Sequence, residues 1–551
     1  MYLVDVEVNK PVLAIIKRVS REIGHQYGGK ARSAVSNVVA KAVEDKIRYS
    51  AAGDRPIGTS FELSSRDLAL VGHGSLDIGT SLTEAQENII KNLTRVMLHQ
   101  VYETGTYAIS EGQRNMLLSL CVKHIHVETR RAQSSKRMRV EDTEGFVSQI
   151  RSSLQSEQQE RNTSFLKKDS AFQVRFYACL DKKRSKEPAA AIAEEFDKID
   201  LHSSERAPED DEDDHTLLPS SDAIASLPFS PQMLAQVEVH LLPCTEFEGM
   251  WESLQFDDDL KSRLFGYATI ALKLANFAKG HQSTAIGNNK LLFVHGPPGT
   301  GKTTVCKALC QKLAIRHGRS GKKIFFEDEP RVVLVEMSCS RLFSRWYGES
   351  AKNLDGIFEN IERLLLDQGN KNKIVCLLID EVETIASSRI SLMGKNETTD
   401  GIRVVNALLT KLDQMKKYNN FLTLATSNLI ESLDPAFLDR ADGMFFVDSP
   451  SFNAASVILN SCIEHLVKIN VVTTVRGSNI LENQKFRKAI DLIAERCAES
   501  KISGRTLRKL PIVCLSESTM ALPITIEDFL MALASTTSMK ARQVHVAVCN
   551  K

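Results

Sequence analysis

Long apolar runs are missing from this chain. Nowhere do about 18 apolar residues follow one another, the length a membrane-spanning helix needs, and the apolar run Val12 to Ile16 is too short for a signal-peptide core. The 11 cysteines contain no CxxC pair, so the paired spacing of zinc sites is absent, and their scatter through apolar stretches fits thiols kept reduced. Cys121, His124 and His126 have no matching second pair, and their spacing is that of a strand, so they read as structural. Charge of one sign is lacking too. With 70 Lys and Arg against 69 Asp and Glu, the net charge is +1, which gives the whole chain no electrostatic case for nucleic acid or a membrane surface. These absences point to a nuclear or cytosolic protein with no membrane partner.

What is present divides in two. At 551 residues the chain exceeds the size at which single cores stop growing, about 250 to 300 residues, so several domains are expected. Residues 1–200 mix helical periodicity (Leu13 to Val43, Thr83 to Val101) with strand-like alternation at Val122 to Val127. Residues 201–236 carry the acidic run Glu209 to Asp214 among prolines and serines, a composition that reads as a linker. From 237 to 450 come five short apolar runs separated by helical segments: LLFVHG (291–296), VVLVEMSC (332–339), IVCLLIDE (374–381), FLTLATSN (421–428) and MFFVDSP (444–450). That rhythm predicts an α/β domain built on a buried parallel sheet. Residues 451–551 lose the strand signal and read as a helical lid.

The sharpest motif is Gly296-Pro297-Pro298-Gly299-Thr300-Gly301-Lys302-Thr303, set between a strand and a helix. Its glycines let backbone N–H groups turn toward phosphate, Lys302 reaches the terminal phosphates, and Thr303 supplies a hydroxyl for Mg²⁺. A second strand ends in Asp380-Glu381, with Asp380 suited to the Mg²⁺ shell and Glu381 to polarising water. A third ends at Asn428, whose amide suits a γ-phosphate or its attacking water. Three such strand ends narrow the chemistry to nucleoside triphosphate hydrolysis.

These motifs resemble the AAA+ ATPases, with Walker A at 296–303, Walker B at 376–381 and sensor 1 at Asn428. The resemblance implies an α/β AAA+ P-loop module, a five-stranded parallel sheet with helices on both faces, plus a C-terminal helical lid and a separate α+β N-terminal domain. It implies ATP with Mg²⁺ as cofactor. It further implies that Arg440, in LDPAFLDRAD, is an arginine finger acting in trans, that Arg505, in SGR, is sensor 2 acting in cis, and that Trp346-Tyr347-Gly348 is an aromatic pore loop. Unlike the commoner pattern, only Arg440 stands before Ala-Asp-Gly. More narrowly, LPCTEFEGMWESLQFDDDLKSRLFGY, SRWYGES, DEVETIASSR, IRVVNALLTKLDQ and SGRTLRKLP resemble the pachytene checkpoint protein group. That group implies a homo-hexamer remodelling HORMA-domain proteins, in some cases through an adaptor recruited by the N-terminal domain. Its setting is the nucleus, on meiotic chromosomes and in the nucleolus, with indirect chromatin association and a cytoplasmic pool. The basic clusters Arg130 to Arg139 and Lys182 to Lys186 keep open an alternative, a nucleic-acid AAA+ loader. A low-turnover ATP-bound scaffold is a third reading.

Overall fold

The computed structural model describes residues 2–27, 39–44, 60–64, 84–104, 118, 121–129, 172–180, 227, 229, 234, 236–256, 259–277, 289–316, 331–338, 350–370, 373–385, 398–473, 484–517 and 522–549. The acidic run at 209–214, both basic clusters and the Trp346-Tyr347-Gly348 loop lie outside them. Two compact units are present, one with its described part inside Met1–Ala178, the other made of Cys179–Gly318 and Glu329–Lys551.

The first unit holds β1 (Tyr2–Val8), α1 (Lys10–Tyr27), β2 (Ser60–Ser64), α2 (Glu84–Thr104), β3 (Val122–Thr129) and β4 (Phe172–Tyr177). Its sheet runs β2-β3-β1-β4, with β1 antiparallel to β3 and parallel to β4. Val4, Val6 and Val8 alternate onto one face and meet Val12, Ile16, Val19 and Ile23 of α1, whose helical spacing puts them on one stripe. Cys121 and His126 are buried in this unit. Among the described residues no close group of metal-ligating side chains contains Cys121, His124 or His126.

The second unit begins with β5 (Val237–Leu242), α3 (Met250–Ser253) and α4 (Leu260–Phe277). There follow β6 (Leu291–His295), α5 (Lys302–Arg316), β7 (Val332–Ser338), α6 (Ser350–Leu366), β8 (Ile374–Asp380), α7 (Thr398–Met415), β9 (Phe421–Ser427), α8 (Pro435–Leu438) and β10 (Gly443–Phe446). The sheet order is β10-β6-β9-β8-β7-β5. The five strands expected from the apolar runs are all mutually parallel. A sixth, β5, pairs antiparallel with β7 at the edge. The apolar patterning did not register it, because Glu238 and His240 interrupt its run.

Period-two alternation explains why helices cover both faces. In β8, Val375, Leu377 and Ile379 join a core with Ile357, Ile361, Val405 and Leu408 of α6 and α7. Cys376 and Leu378 join the opposite core, with Trp251, Leu264, Val305 and Leu309 of α3, α4 and α5. Trp251 is 2% exposed, and truncating so large a buried side chain costs about 3–5 kcal/mol. Leu227 and Phe229 pack against the α6/α7 core.

The lid comprises α9 (Phe452–Lys468), β11 (Val472–Thr473), α10 (Gln484–Glu499), α11 (Gly504–Glu517), β12 (Ile524–Thr525) and α12 (Ile526–Cys549). Its helices close around Leu459, Ile463, Ile490, Leu507, Phe529 and Leu533. The Ser451 hydroxyl caps α9 by accepting from the Ala454 N–H at 3.3 Å.

One buried cation sits at the start of β6. Lys290 is 1% exposed, and its ammonium donates to the carbonyls of Lys416 and Tyr418, each at 2.8 Å. Burial lowers its pKa from 10.5 to about 8, against an upward pull from Asp442. Between those two values the unfolded chain binds the extra proton, so this residue's contribution to stability rises with pH. Relative to Lys290→Met, the wild type should therefore gain up to roughly 3 kcal/mol as pH climbs through that window. Parallel denaturant titrations at stepped pH measure the difference, and a constant gap would refute it.

Candidate nucleotide site

The phosphate loop is shaped by backbone that side chains tolerate poorly. Gly296, Gly299 and Gly301 have φ of 149°, 78° and 97°, the left-handed half of conformational space that favours glycine. A Cβ on Gly296 would lie 2.1 Å from the Val447 carbonyl oxygen, so the chain after β10 seals one side of the loop. The Thr300 hydroxyl donates to the Pro297 carbonyl at 3.0 Å. The Lys302 ammonium, at the first turn of α5, donates to the carbonyls of Gly296 at 2.9 Å and Pro297 at 2.6 Å. Burial lowers the Lys302 pKa, while the negative charges of Glu383, Asp380 and Glu381 oppose the fall.

Beside the loop, Asp380 Oδ1 accepts from the Thr303 hydroxyl at 2.7 Å and from the Thr426 hydroxyl. Hydroxyl and carboxylate oxygens this close are hard donors of the type Mg²⁺ takes. Glu381 follows at φ 55°, ψ 51°, a left-handed conformation rare outside glycine and one that clusters at functional sites. Its N–H donates to Thr426 Oγ1 at 3.2 Å, which ties the ends of β8 and β9 together. Asn428, just past β9, gives its N–H and its Nδ2 to Glu383 Oε1 at 3.1 and 3.0 Å.

A cavity of about 620 Å³ gathers these groups: Pro298 through Thr304, Asp380, Glu381, Thr426, Asn428 and, from the lid, Arg505 and Arg508. Gly296 and Pro297 shape the loop from behind and do not line it. The lid contacts the loop directly, since the Arg505 N–H donates to the Gly299 carbonyl at 3.1 Å. Leu254, Phe256, Leu260 and Ile458 add apolar lining to the cavity, the kind of surface that receives a flat base.

Arg440 is elsewhere. Its Nε and Nη2 bond Asp413 on α7, the closest contact being 2.9 Å, and its Nη1 donates to the Ala436 carbonyl at 2.7 Å. It does not line the cavity. The Arg440 hydrogen bonds, and then Lys416, hold the Asp413 carboxyl below its ordinary range.

Sequence reading missed several residues of this site. Thr426, Glu383, Leu254, Phe256 and Leu260 sit inside quoted motifs without an assigned role. Arg508 was legible as a second arginine three residues after Arg505, which places both on one side of α11. Arg508→Ala is expected to weaken nucleotide binding about tenfold, the order of one charge-assisted hydrogen bond, with turnover at saturation changed less. A fluorescent-nucleotide titration beside steady-state kinetics reads both.

The chain matches the family model "ATPase family associated with various cellular activities (AAA)" over residues 292–449. It matches "TRIP13-like, AAA+ ATPase lid C-terminal domain" over residues 451–541. Pachytene checkpoint protein 2 of Saccharomyces cerevisiae is 40% identical over 569 aligned positions, covering 99% of both chains. The Xenopus tropicalis homologue is 40% identical over 306 residues, 53% of this chain and 67% of its own. The solved structure of C. elegans PCH-2 is similar with a TM-score of 0.44 and 31% identity, covering 55% of this chain and 74% of that one. A relationship that runs the whole length at such identity settles the family: the chain belongs to the pachytene checkpoint protein 2 (TRIP13) group of AAA+ ATPases, enzymes that bind and hydrolyse ATP.

Proposed function

We propose that this ATPase works as a homo-hexameric ring that uses ATP hydrolysis to convert HORMA-domain proteins, serving meiotic chromosome axis and checkpoint control in the nucleus. The observation that carries the assembled-ring reading is the position of Arg440. Every other phosphate-site side chain named from the sequence lines one cavity or shapes its loop, while this guanidinium is held on Asp413 outside it. A pocket lacking one cation within its own chain is what a trans arginine would complete. The substrate class follows from the family alone, and the Trp346-Tyr347-Gly348 segment is the part proposed to grip it.

In this reading Lys302, Arg505 and Arg508 hold phosphate charge, and Thr303 with Asp380 would hold Mg²⁺, which neutralises charge between the phosphates when bound. Glu381 takes a proton from the attacking water. Arg440 of the adjoining protomer stabilises charge on the transferring phosphoryl group.

Mixing decides the assembly. Arg440→Ala subunits keep an intact pocket, and Lys302→Ala subunits keep an intact finger, so each alone should lose turnover, the former by roughly 10³-fold or more. Mixed rings should regain phosphate release wherever a good pocket faces a good finger. Mixtures no more active than their components would sink the trans reading. Conversion of a HORMA-domain protein between its conformers, followed by ion-exchange elution, tests the substrate.

A further inference from the structure

Glu383 lies in the single 3₁₀ turn Val382–Thr384 that follows Glu381. Nothing in the family motifs gives it a task, yet one of its carboxylate oxygens receives both hydrogen bonds that Asn428 sends in its direction, from the backbone at 3.1 Å and from Nδ2 at 3.0 Å. An ionised carboxylate only accepts. The NH₂ edge of the Asn428 amide must therefore face Glu383, and the planarity of the amide turns Oδ1 to the opposite edge. Asn428 itself lines the nucleotide cavity together with Glu381 and Lys302.

We infer that Glu383 is a positioning residue that fixes the polarity of the Asn428 side chain, so that Asn428 presents an acceptor, Oδ1, to the attacking water. A water molecule with one hydrogen accepted by Glu381 and the other by Asn428 Oδ1 has a lone pair left to aim at the γ-phosphorus. In the step itself, the water oxygen bonds phosphorus as the bridge to the β-phosphate breaks. ADP leaves with that electron pair, one proton passes to Glu381, and the other stays on inorganic phosphate. An Asn428 free to flip would offer the water a donor instead, and half of that alignment would be lost.

This inference rests on the reading of Asn428 as a group facing the reacting water, and the experiment separates the two. Glu383→Gln keeps size and shape but supplies an NH₂ that can pair with Asn428 Oδ1 and reverse it. In the full-length protein it should lower kcat by about 10- to 100-fold, the range seen when an outer-shell partner is lost, with KM for ATP and affinity for a non-hydrolysable analogue held within about twofold. In an Asn428→Ala background the same change should add no further loss. Glu383→Asp, still acceptor-only, should retain more activity than Glu383→Gln. Additive losses, a rise in KM with kcat intact, or a reversed order of Asp and Gln would each overturn the positioning role. If Asn428→Ala alone leaves kcat untouched, the reading of Asn428 fails, and Glu383 falls with it.

Discussion

Glu381→Gln is expected to bind ATP as the wild type does and to hydrolyse it roughly 10²- to 10⁴-fold more slowly, the range for removing a general base. The separation of binding from turnover follows from where the side chain stands. Lys302 and the loop backbone lie on the α5 side, and the Asp380 carboxylate is engaged by Thr303 and Thr426. Glu381 enters the cavity from a left-handed turn at the end of β8. The substitution keeps that backbone, including the N–H bond to Thr426, and removes only the charge that accepts a proton. Single-turnover phosphate release against equilibrium nucleotide binding measures the two halves. Equal losses in both would show that Glu381 holds the nucleotide and does not act in the chemistry.

Gly296→Ala should abolish nucleotide binding altogether. The added methyl would stand 2.1 Å from the Val447 carbonyl oxygen and 3.0 Å from its carbon, both backbone atoms pinned because the Val447 N–H donates to the His295 carbonyl at 2.8 Å. A clash with fixed backbone opens the loop, and Lys302, which bonds the Gly296 carbonyl, loses its seat. Gly299 offers an internal comparison. A methyl there meets the Ser503 side chain at 2.8 Å, which can rotate away, and Gly301 has only Leu254 Cδ2 at 3.5 Å. The expected order of damage is Gly296, then Gly299, then Gly301, with backbone strain common to all three. Saturating ADP at about 100 times Kd stabilises a binding-competent fold by about 2.7 kcal/mol, so thermal shift with ADP reads the loss. A normal shift for Gly296→Ala would mean that the loop adapts.

The phosphate loop was readable from sequence because its requirement is local: backbone amides converge on an anion only where consecutive residues tolerate positive φ, so the glycines stand within six positions. The five parallel strands were readable because burial on both faces leaves an unbroken apolar run. β5 was not, since an edge strand exposes one side and carries Glu238 there. Leu254 and Phe256 became cavity wall only through the packing of the segment before α4 against the loop, and an apolar residue carries no mark of which surface it will line. Asp413 and Arg440 are 27 residues apart, and no spacing rule pairs them. Glu383 was hidden for a subtler reason. Its partner lies 45 residues away, and its direction depends on the turn that the Glu381 conformation imposes.

The bond from the Arg505 amide to the Gly299 carbonyl fastens the helical lid at the point where phosphate is gripped. α12, at 24 residues, is about 36 Å long at the usual rise of an α-helix. Its Phe529 and Leu533 share the lid core with Leu507 of α11. A displaced Gly299 carbonyl must therefore either break its bond to the Arg505 amide or carry α11, and the apolar core it shares, along with it.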